Sequence, residues 1–437
     1  MIPIPADLQI DADWLLRILP QAPLRCHSVV VTDGLIVDVL PTGEAAARYS
    51  PRRRADMTGH IVLPGLVNAH SHAAMTLMRG MADDLALQDW LQGHIWPREA
   101  THVSDAFVFD GSLLAAAEMI RGGITACCDM YFFPDATARA LRQSGMRVQL
   151  GLPVLEFPSA WAPDADGYLE RGLAVRDRLR DDPLISFSLA PHAPYTVGDA
   201  AFARIVTYAE ELGLAIHTHL HETTDEIRDG IAAHGSRPLT RLNELGALGP
   251  AFVAIHAVHC SDEDLALLAD HACHVVHCPG SNLKLGSGIA PVSAMLACGV
   301  NVALGTDGAA SNNRLDLFEE MRTAALLAKG VAHDPTALPA RQAVEMATLG
   351  GAKVLGLEAV IGSLETGKSA DMIAVALTSP ELSPIFDPYS HLVYAAGRAD
   401  VSHAWVAGDC ILDNRQLTHC DLPAILRLAQ YWQEKLK

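Results

Sequence analysis

Eight short apolar runs recur along the middle of this chain, each followed by an amphipathic stretch: 61–69, 124–130, 146–154, 185–190, 215–219, 252–258, 274–278 and 300–305. Runs of this length bounded by turn residues suit buried strands, and the stretches between them suit helices. In the clearest, residues 199–212, the side chains of Phe202, Ile205, Val206, Ala209 and Leu212 share one helical face, and Gly213 stands as the stop. A parallel strand needs a crossover helix to reach its neighbour, so strand and helix alternating eight times predicts an α/β fold, a (β/α)8 TIM barrel.

The flanks read differently. Residues 26–31 and 35–40 are β-rich runs around Asp33-Gly34, which is hairpin chemistry. After about residue 357 the helical rhythm ends, and 371–377, 401–406 and 410–412 read as strands. The expected organisation is one part of a small β-sandwich over 1–63, the barrel over 64–356, and over 357–437 the rest of the sandwich with a terminal helix. No linker, low-complexity tract or further repeat interrupts it.

Composition narrows the partners. With 437 residues, half of them apolar and 19% charged, the chain is long enough and apolar enough to bury a core. Lys and Arg number 32 against 51 Asp and Glu, a net charge of −19. Nucleic acid and anionic membranes reward clustered cations, so neither is expected as a partner. Nine cysteines with no CxxC pair and an acidic, proline-broken start point to reduced thiols in the cytoplasm. The longest charge-free stretch, 285–306, holds Pro291, several glycines and Asn301, a poor membrane span.

In a barrel of this kind chemistry lies where strands end, and the polar residues of this chain gather there. The first run ends in His70-Ser71-His72, whose imidazoles, two residues apart, face one side. The fourth ends at His192, and the fifth carries His217, His219 and His221, followed by Glu222. The sixth offers His256 and His259, the seventh His277, and the eighth Asp307 within Gly305-Thr306-Asp307-Gly308. A lone histidine is most often a satisfied structural residue. A buried set at nearly every strand end is costly without a cation, and three imidazoles with one carboxylate make a mononuclear transition-metal site. Spacing alone leaves the choice among His217, His219 and His221 open.

Other chemistries find less support. Dinuclear barrel hydrolases commonly bridge two metals with a carboxylated lysine after strand four, and this chain has no lysine before Lys284. The P-C-x-x-C of cytidine-type zinc deaminases and the GxSxG of serine hydrolases are both missing. Residues 362–369, GSLETGKS, do match the phosphate-loop pattern. That loop needs a strand before it and a helix after it. Here a helix-like stretch precedes and a strand follows, so a turn is expected and a nucleotide triphosphatase is disfavoured.

Pro64-Gly65-Leu66-Val67-Asn68-Ala69-His70-Ser71-His72 resembles the opening of the amidohydrolase superfamily. Ala190-Pro191-His192-Ala193-Pro194-Tyr195, His219-Leu220-His221-Glu222-Thr223, Ser281-Asn282-Leu283-Lys284-Leu285-Gly286 and the run from Gly305 to Asn313 are similar to the 5′-methylthioadenosine/S-adenosylhomocysteine deaminases. The resemblance covers nearly the whole chain, although triazine hydrolases and guanine-type deaminases share much of the pattern. It implies one divalent metal, zinc above others, on His70, His72, His219 and Asp307. It implies a proton-handling role for Glu222, a catalytic role for His256, a proton-transfer role for Asp307, and substrate contacts at Glu99, His192 and Glu222. It also implies a small nucleoside substrate and a homodimer or larger homo-oligomer.

The chain departs from the pattern at one place. Some members carry arginines after strand three that grip the carboxylate end of S-adenosylhomocysteine, whereas residues 150–161 here are apolar and acidic. A carboxylate finds no bidentate partner in that stretch, which favours methylthioadenosine or adenosine. The alternatives are an aminohydrolase or chlorohydrolase of guanine-like or triazine rings, and a catalytically silent metal-binding protein, which would have no need of Glu222 and His256.

Overall fold

The computed structural model describes residues 3–20 and 22–437; positions 1, 2 and 21 of the expected N-terminal segment lie outside the described residues. Four strands come first: β1 (Ile4–Leu15), β2 (Leu24–Thr32), β3 (Leu35–Pro41) and β4 (Tyr49–Pro64). The hairpin expected around Asp33-Gly34 is the antiparallel β2/β3 pair. The barrel follows as β5 (Leu66–Ser71), β6 (Ile124–Met130), β7 (Arg147–Val154), β8 (Ile185–Pro191), β9 (Ala215–Leu220), β10 (Phe252–His256), β11 (His274–His277) and β12 (Asn301–Leu304). These eight lie in consecutive order, all parallel.

The first apolar run is divided between two sheets. Residues 61–64 close β4, and the barrel begins at Leu66. Gly65 makes the passage: its N–H donates to the Asp371 carbonyl at 3.0 Å, and a Cβ there would fall 1.9 Å from Thr125 Oγ1. Both halves of the run are buried, so apolar patterning carries no mark of the change of sheet.

Four strands return from the C-terminal side: β13 (Met372–Ala376), β14 (Val401–Val406), β15 (Asp409–Asp413) and β16 (Gln416–Leu417). With β1–β4 they form one mostly antiparallel sheet in the order β16-β15-β14-β13-β4-β1-β2-β3. The join between the two chain ends is β13 on β4, with Ala374 opposite Val62. A buried ion pair, Arg147 Nε to Asp371 Oδ2 at 3.1 Å, ties the start of β7 to the residue before β13.

The barrel interior is apolar below the site: Val67, Cys128, Val253, Ile255, Val276 and Ala303 are fully buried there. Each such Val or Ile contributes about 1.5–3 kcal/mol of hydrophobic stabilisation. Outside, helix Asp199–Leu212 buries Phe202, Ile205 and Ala209, and Gly213 ends it at φ +64°, a conformation that glycine adopts freely. The terminal helix Leu422–Lys435 docks on helix Asp105–Arg121, with Trp432 Nε1 donating to Asp110 at 2.8 Å. No helix among the described residues is long and apolar enough to cross a membrane.

The phosphate-loop pattern is a turn that leads into β13. Lys368 Nζ donates to the Glu358 carbonyl and the Ser363 hydroxyl, both at 2.6 Å, so its donors are engaged within the turn itself.

Candidate active site

β5 ends in His70-Ser71 with His72 the next residue, and the ring nitrogens of His70, His72 and His219 gather within 4.8 Å of one another. The far side of each ring is committed. His72 Nδ1 donates to the Met130 carbonyl at 2.5 Å and His219 Nδ1 to the His192 carbonyl at 2.7 Å, while His70 Nδ1 lies 3.1 Å from His217 Nε2. The Nε2 atoms of His70 and His72 therefore face the centre, 3.5 and 3.2 Å from Asp307 Oδ1. His70 Nε2 is buried without a hydrogen-bond partner. Orphaned nitrogen, convergent imidazoles and one carboxylate fit a mononuclear site for a borderline cation such as Zn²⁺.

Asp307 is held by a dense set of donors. Gly308 N–H donates to Oδ1 at 2.8 Å, and the hydroxyls of Ser281 and Ser311 donate to Oδ2 at 2.6 and 2.7 Å. Burial alone would raise this carboxyl, but the imidazoles of His70 and His72 keep it well below the ordinary range. Its backbone sits at φ +60°, as that of His256 does at +69° and that of His221 at +52°. Such non-glycine conformations cost about 1–3 kcal/mol each and persist only where the surroundings over-determine them.

The turn after β9 shows how. Both oxygens of the buried Glu226 carboxylate accept backbone N–H groups, from His221 at 2.8 Å and Glu222 at 2.9 Å. The turn sends Glu222 into the site, 3.8 Å from His256 Nε2 and 3.5 Å from Ser287 Oγ. Burial raises the Glu222 carboxyl above its ordinary value, with His256 opposing. His256 Nδ1 pairs with Asn282 Oδ1 at 2.8 Å, so its Nε2 points inward.

Above these groups opens a cavity of about 290 Å³, reached by Glu99, His192, Glu222, His256 and Asp307. Trp90, Trp96, Leu155, Phe157 and Met130 give it apolar walls, and among the described residues no Lys or Arg lines it. Glu99, half-buried, accepts from the Tyr131 hydroxyl at 2.6 Å, and burial raises its carboxyl to about 7. His192 Nδ1 lies 3.0 Å from Thr196 Oγ1.

Every site residue expected from the sequence thus lies at this cavity or at the cluster beneath it. The three histidines of 217–221 separate by geometry. His219 joins His70 and His72, and His217 stands behind His70. His221 turns away, and its Nε2 accepts from Leu239 N–H at 3.2 Å. His259 Nε2 bonds to the Ser287 carbonyl at 2.7 Å, whereas His277 is buried with Nδ1 unpartnered. His221, Cys260 and Asp264 form a second compact group, but Arg237 already neutralises Asp264 at 2.6 Å. Sequence reasoning missed Tyr131 and Glu226, and it left Ser281, Asn282 and Ser311 without roles. Tyr131, Ser281 and Asn282 have partners remote in the chain, whereas Ser311 and Glu226 bond four or five residues away at spacings common to any loop or helix start.

A model of the amidohydrolase family matches residues 61–411. A protein of Teredinibacter turnerae named 5-methylthioadenosine/S-adenosylhomocysteine deaminase is 48% identical over 98% of each chain. One of Methanosarcina mazei named 5′-deoxyadenosine deaminase is 43% identical over 99% of this chain and 98% of its own. The crystal structure of an adenosine deaminase from Xanthomonas campestris with bound zinc superposes with a TM-score of 0.98, at 47% identity and 99% coverage of both chains.

Proposed function

The chain belongs to the amidohydrolase family, and from that premise we propose that it is a metal-dependent hydrolytic deaminase of adenosine-type nucleosides, releasing ammonia and an inosine-type product. The observation that carries this reading is the meeting of the three-imidazole cluster with Asp307, Glu222 and His256 on the floor of one apolar cavity.

His70, His72, His219 and Asp307 are the residues that would hold one divalent metal, zinc by the donor set. When bound, the metal supplies Lewis acidity, lowering the pKa of water from near 16 to about 7. Asp307 takes the proton of the attacking water on its carboxylate and returns it to the departing amine. Glu222, whose carboxyl burial raises above its ordinary value, donates its proton to the ring nitrogen beside the attacked carbon, N1 of adenine, where charge develops, and regains one from the added hydroxyl as the carbonyl forms. His256, fixed through Nδ1 by Asn282, orients the water with Nε2. Glu99 and His192 reach the same cavity and are assigned to the nucleoside.

The 5′ end is read from the walls. Leu155, Phe157 and Pro158 follow β7 and line the cavity without a cation, which supports methylthioadenosine or adenosine over S-adenosylhomocysteine. All nine cysteines are free, which supports a reducing, cytoplasmic setting. The family resemblance adds a homodimer or larger assembly, readable by light scattering; no nucleic acid or membrane enters the reading.

The test is the ultraviolet change from adenine to hypoxanthine chromophore, followed with zinc-loaded protein on the three nucleosides in parallel. Conversion ranked with methylthioadenosine or adenosine first is expected. Equal turnover of S-adenosylhomocysteine would overturn the 5′ preference. Silence on all three, with turnover of guanine or a chlorotriazine, would overturn the substrate class.

A further inference from the structure

We infer that His217 is a positioning residue for the metal centre: its Nε2 accepts the Nδ1 proton of His70 and so holds the His70 Nε2 lone pair toward the other ligands. This rests on the metal-centre reading above.

The three ligand imidazoles are not anchored alike. His72 and His219 each spend Nδ1 on a backbone carbonyl. A carbonyl can only accept, so each ring carries its proton on Nδ1 and offers Nε2. His70 has no such partner. Its Nδ1 faces another imidazole nitrogen, 3.1 Å away, which accepts or donates according to where His217 keeps its own proton. With the His217 proton on Nδ1, His70 is a ligand. With that proton on Nε2, His70 would carry its own on Nε2, aimed into the centre, and would ligate nothing. One arrangement of two builds the site.

His217 is otherwise badly housed. It is fully buried one layer below the ligands, at the register of Val253, and the other neighbour of its Nε2 is Cys128 Sγ at 3.9 Å. Its Nδ1 has no hydrogen-bond partner. The arrangement that serves His70 thus leaves an N–H buried and unpaired, a cost that an apolar side chain of similar size would remove. Packing alone gives no reason for an imidazole there; the contact with His70 does. Affinity and stability are therefore expected to move in opposite directions when it is replaced.

The experiment is equilibrium competition for Zn²⁺ between a chelator and the full chain, wild type against His217→Leu, His217→Gln and Cys128→Ala, with apo-protein melting read in parallel. Gln offers a carbonyl oxygen where Nε2 now accepts. His217→Leu is expected to bind Zn²⁺ about ten- to a hundred-fold more weakly, the usual loss when an outer partner of a ligand histidine is removed, while its apo form melts no lower than wild type. His217→Gln should recover most of the affinity, and Cys128→Ala should keep it. Wild-type affinity in the Leu variant, or an equal loss in Cys128→Ala, would overturn the inference. Should the Leu variant fail to fold, nitrogen-15 NMR of histidine-labelled wild-type holoprotein decides: a His217 proton on Nδ1 is expected, and one on Nε2 refutes the pairing. A wild type that binds no Zn²⁺ defeats the metal-centre reading instead, a separate result.

Discussion

Asn68 and Thr306 exchange two hydrogen bonds across the seam of the barrel. Asn68 Nδ2 donates to Thr306 Oγ1 at 2.8 Å, and Thr306 N–H donates to Asn68 Oδ1 at 2.9 Å. Among the described residues no strand ladder joins β5 to β12, so this side-chain pair stands where backbone pairing would close the ring. It also sets the distance between His70, two residues after Asn68, and Asp307, which follows Thr306 directly; Asp307 N–H donates to the His70 carbonyl at 3.1 Å. Asn68→Ala would leave the buried Thr306 N–H unpaired and remove one donor from its hydroxyl, which still donates to the Asp307 carbonyl at 3.1 Å. A loss of about 1–3 kcal/mol in denaturant unfolding is expected, together with weaker metal binding by competition.

Glu222→Gln keeps the size of the side chain and removes its acidic proton. Metal content should stay at wild-type level while turnover falls about a hundred- to ten-thousand-fold, measured by metal analysis and the ultraviolet assay on one preparation. His72→Ala should instead lose the metal. An active, fully loaded His72→Ala protein would remove that residue from the ligand set.

Glu99 predicts a pH window. Its carboxyl titrates near 7 in the folded chain against an ordinary 4.5, because burial outweighs the Tyr131 hydroxyl and the His72 charge. A group raised in this way favours folding fully below 4.5, and its contribution is lost as pH climbs through 7. Glu99→Gln should flatten the stability profile between those values in melts taken across pH. The ionised form accepts ribose hydroxyls best, so the wild-type KM should rise below pH 7, and the variant should lack that slope.

Chelation should loosen the barrel top, because a ligand that binds only the folded state stabilises by mass action, about 4 kcal/mol at a thousand-fold excess over Kd. Melting with and without added Zn²⁺ reads this directly. The same addition should leave His72→Ala unmoved.

Ala160 is exposed on the rim of the cavity, beyond Phe157. Ala160→Arg supplies the cation that the wall lacks. The ratio of kcat/KM for S-adenosylhomocysteine to that for methylthioadenosine should rise about tenfold, as a charge-assisted pair of roughly 1.5 kcal/mol would give. An unchanged ratio would place the 5′ end elsewhere.

The barrel was legible because a βα period repeated eight times has few other solutions, and each run was apolar enough to be seen alone. What the sequence hid lies in long-range pairing. His217, His219 and His221 are equivalent at a spacing of two, and only the His192 carbonyl and the turn at His221 tell them apart. Glu99 reads as an ordinary carboxylate early in a helix; its meaning comes from Tyr131, brought in after β6. Ser281 reaches Asp307 from a separate segment, and Ser311, four residues after Asp307 in one loop, looks like any other loop serine. Gly65 was hidden for the opposite reason, since buried residues continue unbroken on both sides of it.

The pairing of β13 on β4 carries a consequence for how the chain is made. Translation delivers β4 early, but the strand that covers its edge leaves the ribosome about three hundred residues later, after all eight barrel strands. Until then the apolar row Ile61–Leu63 has an open flank, a template for pairing with a neighbouring nascent chain. A premature stop within the barrel, or a slow stretch of codons before β13, should therefore yield aggregated rather than merely inactive protein.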